Sequence, residues 1–227
     1  MAAKSFIPQL QTSYLKALND PNRPVRVQAT TGLIELLPLS PRVDPVFNDL
    51  HNGVKKSEDL GLRLTMLQAL CGIIKVGGQR MSEKHRGEIL TTLVTLQTTA
   101  QEGNRLQAAE CIGALCAHLG GQELRTVMTE SLLELEGVSD WAVLQARAAA
   151  LSAALRSASA RIVDLGMRGE VASAVVSLAF SDRVRGMSVH PSVPDFIPTP
   201  TLHAGACVCE WLTECGQLHQ QHGGGQL

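Results

Sequence analysis

Apolar residues recur along this chain at helical spacing, in stretches separated by short polar turns that carry Pro, Gly, Asn or Asp. Within a stretch, Leu33, Leu36 and Leu37, or Leu67, Leu70 and Ile74, fall on one face. The pattern predicts amphipathic helices over 7–18, 27–37, 45–54, 64–76, 83–99, 106–119, 122–135, 148–158 and 170–180. It then stops. His190-Pro-Ser-Val-Pro-Asp-Phe-Ile-Pro-Thr-Pro200 cannot be helical, because each Pro lacks an N–H and restricts the residue before it.

The helices repeat in pairs. Arg26, Arg63, Arg105 and Arg147 stand 37, 42 and 42 residues apart, and each is expected to open the second helix of a pair. Six residues beyond each Arg comes a small side chain, Gly32, Ala69, Cys111 or Ala153, which lets neighbouring helices approach closely. Before each Arg lies an acid-bearing turn, with Asp20, Glu58 and Asp59, Glu102 or Asp140, and its Asp or Asn can cap the next helix. Asp44 before Pro45, and Ser82, are expected caps for first helices; Gly77-Gly78 and Gly120-Gly121 are expected to stop second helices. Arg and acid should bond to each other as a ladder along the turns. Arg185 is in phase again, 38 residues after Arg147, but no second helix follows it.

A helix, an acidic turn, an Arg and a second helix, repeated at about forty residues, is the HEAT/armadillo pattern. The fold class expected is all-α: an α-solenoid of about four and a half helix pairs over residues 1–187, with an irregular Pro-rich tail over 188–227. With no polar capping repeat at either end, the array reads as a slice of a longer solenoid.

Composition sharpens this picture. Aromatic residues are only 3% of the chain against 44% hydrophobic, which speaks against sandwiches and barrels and suits helices packed on Leu, Ala and Val. The N-terminus has no signal-peptide pattern, and no stretch approaches the continuous apolar length of a membrane span. Of six cysteines, Cys71, Cys111 and Cys116 sit at core positions and read as buried thiols of a reducing compartment. The location expected from the residues is cytosolic or nuclear.

Net charge is −1, but it is unevenly spread: residues 1–100 hold 12 Lys/Arg against 8 Asp/Glu, and residues 101–227 hold 8 against 13. Stacking would align Lys4, Lys16, Arg23 and Arg26 with Lys55, Lys56 and Arg63 into a basic strip on a turn ridge. Such a strip suits an acidic protein surface or ribosomal RNA. Arg23 is the freer contact, because Arg26 holds the in-phase ladder position.

Chemistry is otherwise sparse. His203, Cys207, Cys209, Cys215, His219 and His222 cluster in the tail, but the Cys-x-Cys spacing is wrong for a zinc knuckle, so no metal and no cofactor is expected. His85 and His118 have no evident nucleophile or carboxylate partner in the sequence, and neither a phosphate loop nor a nucleophile elbow occurs. The reading is a non-catalytic protein.

The wording of the chain goes further. Phe6-Ile-Pro-Gln-Leu-Gln-Thr12, Leu15-Lys-Ala-Leu18, Asp20-Pro-Asn-Arg23, Val43-Asp-Pro45, Thr65-Met-Leu-Gln-Ala-Leu70, Gly113-Ala-Leu-Cys116 and Val184-Arg-Gly-Met187 closely resemble one family. It is the giant HEAT-repeat translational activators of general amino-acid control, near their C-terminal end. The resemblance covers residues 6–187. It implies a cytoplasmic scaffold that binds the RWD domain of the translation initiation factor 2 alpha kinase and promotes its activation on stalled ribosomes during amino-acid starvation. It makes the turn with Arg23 and Arg26 the candidate kinase contact and assigns ribosome contact to the wider scaffold. It implies no DNA and no membrane partner. The alternative is a generic HEAT adaptor of nuclear transport or phosphatase assembly. Residues 188–221 depart from the family before His222-Gly-Gly-Gly-Gln-Leu227 resumes it, as a mispredicted or alternatively spliced exon would.

Overall fold

The computed structural model describes residues 6–135 and 138–180, with side chains through Leu178. The expected second-helix residue Arg185 and the tail cluster lie outside the described residues. Among those described there is no strand, and the helices are α1 (Ile7–Ala17), α2 (Arg23–Leu36), α3 (Asp44–Lys56), α4 (Leu60–Gly77), α5 (Glu83–Leu96), α6 (Glu102–Cys116), α7 (Gly121–Thr126), α8 (Trp141–Asp164) and α9 (Arg168–Phe180).

Helices pair as α1/α2, α3/α4 and α5/α6, and α7 with the π turn that continues it (Val127–Leu132) pairs with α8. The second helices stack on one another, α2 on α4, α4 on α6 and α6 on α8, while α1, α3 and α5 form the outer layer. The fold is an all-α solenoid, as the periodicity predicts. One continuous apolar core runs from Leu18 to Val171 through every layer. Leu33, Leu67, Leu70, Ile74, Ile112 and Leu115 are fully buried in it, and each such side chain contributes about 1.5–3 kcal/mol. Phe47 is the one aromatic side chain fully buried among the described residues; Phe6 and Trp141 are exposed.

The α4 helix and its 3-10 extension, Leu60–Arg80, are long and apolar enough to cross a membrane. Packing accounts for this composition: α4 sits between α2, α3 and α6 and is apolar on several faces for that reason. The small column serves close approach. Ala69, Cys111 and Ala153 are buried, and a Cβ built on Gly113 would overlap the Cβ and backbone of Ala153 on α8.

Four expectations need correction. Each ladder Arg lies inside its helix, not ahead of it: α2, α4 and α6 begin at Arg23, Leu60 and Glu102, so Arg26, Arg63 and Arg105 each hold the fourth position. In α8, which starts at Trp141 behind the cap Asp140, the fourth position is Leu144, and Arg147 is out of phase. The equal 42-residue spacing misleads because the helix starts at Glu102 and Trp141 are only 39 apart.

Gly120 and Gly121 do not stop α6, which ends at Cys116; Gly120 is the N-cap of α7. Gly78 ends α4 in right-handed geometry and is small because the His118 ring lies where its Cβ would be. Asp44 is the first residue of α3 and not its cap; its carboxylate instead accepts the Ser82 N–H, 3.0 Å away, across the repeat boundary. Finally, the stretch 122–135 is no single helix but α7 and the π turn.

A candidate partner-binding ridge

The turn between α1 and α2 is built by Asp20, whose Oδ1 accepts the Asn22 N–H at 2.8 Å. That local ring places Arg23 and Pro24 in the first helical turn of α2, where a Pro costs no hydrogen bond. Arg26, one turn on, closes the bend from inside. Its Nη1 donates to the carbonyl oxygens of Asp20 (2.9 Å) and Pro21 (3.0 Å), and its Nε donates to Thr65 Oγ1 of α4 (3.2 Å). Arg26 therefore ties the first turn to the second repeat.

The same arrangement recurs. Arg63 Nη2 donates to Ser57 O at 2.5 Å. Arg105 Nη1 donates to Thr99 O (2.9 Å) and Ala100 O (3.3 Å), and its Nη2 to Gln145 Oε1 (3.0 Å). The ladder thus runs from guanidinium to turn carbonyl, where the sequence suggested guanidinium to acid. The acids are used separately: Asp59 caps α4 through Leu62 N at 2.6 Å, and Asp140 caps α8 through Ala142 N at 2.8 Å. Arg105 is 2% exposed, and Gln145 passes its charge on by donating to Glu102 Oε1 at 3.0 Å. Among the described residues Arg147 bonds only the Glu134 carbonyl.

Arg23 is different. It is exposed, and among the described residues it makes no hydrogen bond or ion pair. Lys16 at the end of α1 and Lys55 and Lys56 at the end of α3 are exposed on the same side of the array, at the mouths of the first two turns. The third and fourth turns carry no Lys or exposed Arg; there Glu102, Glu134, Asp140 and the half-exposed Trp141 face solvent. The ridge therefore changes sign along its length. Of the two residues expected to meet a partner, the structure places Arg23 free and Arg26 within the turn scaffold.

Sequence reasoning missed a second row of side-chain donors, two Arg and one His, at the opposite ends of the stacked helices. Arg80 donates to Leu37 O (2.8 Å) and Ser40 O (2.9 Å), at the end of α2. His118 bonds the Ile74 backbone in the last turn of α4. Arg161 donates to the carbonyls of Cys116, Ala117 and Leu119, beyond α6. Each supplies a donor to C-terminal carbonyls of a helix one repeat back, and the two Arg charges are also favoured there by the helix dipole. The signal, a side-chain donor about forty residues apart at 80, 118 and 161, is weak because the residue type changes and Arg161 lies beyond a break in α8 at Ala158.

His85, for which the sequence offers no partner, does have two: Ser82 Oγ at 2.7 Å and Asp44 Oδ2 at 3.7 Å. Both meet Nδ1, so the imidazole cannot relay a proton from Ser to Asp through its two nitrogens, as a catalytic triad requires. The trio pins the start of α5 to α3. His51 Nε2 meets Thr92 Oγ1 at 2.8 Å, and burial lowers its pKa, with Lys55 adding to the effect. Among the described residues no three His, Cys, Asp or Glu side chains gather at metal-binding distance.

Comparison with known proteins agrees with this architecture. The family model described as "Stalled ribosome sensor GCN1-like, HEAT repeats" matches residues 44–189. The chain is 38% identical over 185 residues to the stalled ribosome sensor GCN1 of Mus musculus and, over the same length, to that of Homo sapiens. It is 28% identical over 181 residues to the eIF-2-alpha kinase activator GCN1 of Saccharomyces cerevisiae. These alignments cover 81% of the chain for the two mammalian relatives and 78% for the yeast one, and 7% of each relative, so the chain spans about a fourteenth of their length. By its family match and its repeat chemistry alike, the chain belongs to the stalled ribosome sensor GCN1-like family of HEAT-repeat proteins.

Proposed function

We propose that this chain is a non-catalytic docking segment for the kinase that phosphorylates the alpha subunit of translation initiation factor 2, acting in the cytoplasm when ribosomes stall. The kinase's RWD domain is the partner, and the basic mouth of the first two turns receives it. One observation carries the reading: Arg23 stands exposed beside Lys16, Lys55 and Lys56 with no side-chain partner among the described residues, while the first positions of α4 and α6 are Leu60 and Glu102. The yeast relative's name as a kinase activator supports the choice of partner. Arg26 contributes twice, by charge and by holding the bend that presents Arg23. Ribosome contact belongs to the longer scaffold of the relatives.

A pull-down of the intact chain with the isolated RWD domain tests this. Arg23→Glu combined with Arg26→Glu should abolish capture. Arg23→Glu alone should weaken capture without lowering the melting temperature, because its side chain supports nothing in the fold. Capture undiminished by the double variant refutes the site. No capture by the unaltered chain refutes the function, and an adaptor of nuclear transport or phosphatase assembly gives that result.

A further inference from the structure

Cys71 on α4 and Cys111 on α6 meet across the boundary between the second and third repeats. Cys111 is fully buried and Cys71 is 4% exposed. The Cys111 sulfur lies 3.3 Å from the Leu67 carbonyl oxygen. Leu67 is one helical turn before Cys71, and side chains on a helix lean toward its N-terminus, so Cys71 points back at the same spot. The S–H of Cys111 donates to Leu67 O, and the two thiols are close enough to influence each other. Nothing in the ridge or the helix-end rows uses this pair. Both residues are free thiols, and no disulfide is needed to explain the packing around them.

We propose that Cys71 and Cys111 form an oxidisable dithiol that closes to a disulfide between α4 and α6, with a peroxide as oxidant. Cys71 is the attacking thiol. It has the small residual exposure, and the neighbouring Cys111 thiol favours its thiolate against burial, with Lys75 one turn on adding to the effect. Cys111, fully desolvated, keeps its proton and serves as the resolving thiol. A small oxidant reaches Cys71 through its residual exposure; the nearby cleft of about 340 Å³ is lined by Lys75, Glu110, Ala114, His118 and Arg156 and by neither sulfur.

The chemistry balances. The Cys71 sulfur attacks a peroxide oxygen, the O–O bond breaks, and water or an alcohol leaves with the thiol's proton. The resulting sulfenic acid is attacked by the Cys111 sulfur; the S–S bond forms, the S–O bond breaks, and a second water leaves. Two thiols are oxidised by two electrons and one peroxide is reduced. The product cross-links adjacent repeats and restrains their relative motion.

The test uses the full chain, exposed to hydrogen peroxide, alkylated in denaturant and digested with trypsin. Cys71 falls in peptide 64–75, and Cys111 and Cys116 fall in peptide 106–125. A cross-linked species joining the two peptides, lighter by about 2 Da than their sum, is expected. Cys116→Ser should leave it intact. Cys111→Ser, whose hydroxyl can still donate to Leu67 O, should remove it and leave Cys71 as a sulfenic acid that dimedone labels. No cross-link in the unaltered chain, or a cross-link that survives Cys111→Ser, overturns the proposal.

Discussion

Replacing Arg105 with alanine should destabilise the array by about 3 kcal/mol, while the same change at Arg147 should stay within about 0.5 kcal/mol. The magnitude follows from what each side chain holds. Arg105 makes three hydrogen bonds and lies 5.8 Å from the centre of the Trp141 ring. Bonds to a charged group contribute about 1.5–3 kcal/mol each in mutational series. Thr99 is half-buried and Ala100 exposed, so water replaces the lost donor at those carbonyls, and these two bonds count at the low end.

Gln145 is 9% exposed, so its Oε1 loses its partner where water enters poorly, at about 1–3 kcal/mol. The ring contact adds about 0.5–1 kcal/mol. Against these stands the release of a guanidinium whose Nε is buried and unpartnered, which recovers part of the loss. Arg147, by contrast, bonds one carbonyl of the exposed Glu134. Urea denaturation followed by far-ultraviolet circular dichroism measures both. A midpoint for Arg105→Ala within experimental error of the parent, or an equal loss for Arg147→Ala, would refute the carbonyl-ladder reasoning and restore the in-phase role of Arg147.

The remaining predictions separate packing from titration. Gly113→Ala forces α6 off Ala153 and should cost about 2–3 kcal/mol, whereas Gly87→Ala, in the middle of α5 with open space around its Cβ position, should stabilise by about 0.5–1 kcal/mol; thermal melts compare them. Burial lowers the pKa of both His51 and His118, so the unfolded chain binds protons more readily than the folded one near neutrality. Their contribution is therefore complete above the ordinary histidine value of about 6.5 and is lost as pH falls below it. His118→Gln should flatten that slope in denaturation curves taken from about pH 8 to pH 5; a slope unchanged from the parent would count against it. Burial pushes the Cys116 thiol up to about 12, so iodoacetamide at pH 8 should leave it unmodified until the chain unfolds.

The repeat was legible because its chemistry is local. An Arg in the first turn of a helix reaches carbonyls five or six residues back, so Arg26, Arg63 and Arg105 mark their helices regardless of what packs around them. Arg147 broke the rule because the stretch before α8 differs: the π turn and the residues after it shift the helix start while leaving an Arg at the expected distance. The helix-end donors were illegible for the opposite reason. Arg80, His118 and Arg161 act on carbonyls about forty residues earlier, and such a contact exists only once repeats stack. The same holds for Asp44, which reads as a local cap and serves the next repeat. At the candidate site the fold divides the two arginines that the sequence singles out: Arg26 builds the bend, and Arg23 makes no side-chain hydrogen bond among the described residues.

That division is most directly tested by titrating the RWD domain into the intact, fluorescently labelled chain at about 50 and 200 mM salt. Saturable binding should weaken as salt rises, because Arg23, Lys16, Lys55 and Lys56 are all exposed. Arg23→Glu should raise the Kd at least about tenfold, equivalent to about 1.4 kcal/mol, with circular dichroism unchanged. Binding indifferent to both salt and Arg23→Glu, or no saturable binding at all, would contradict the account.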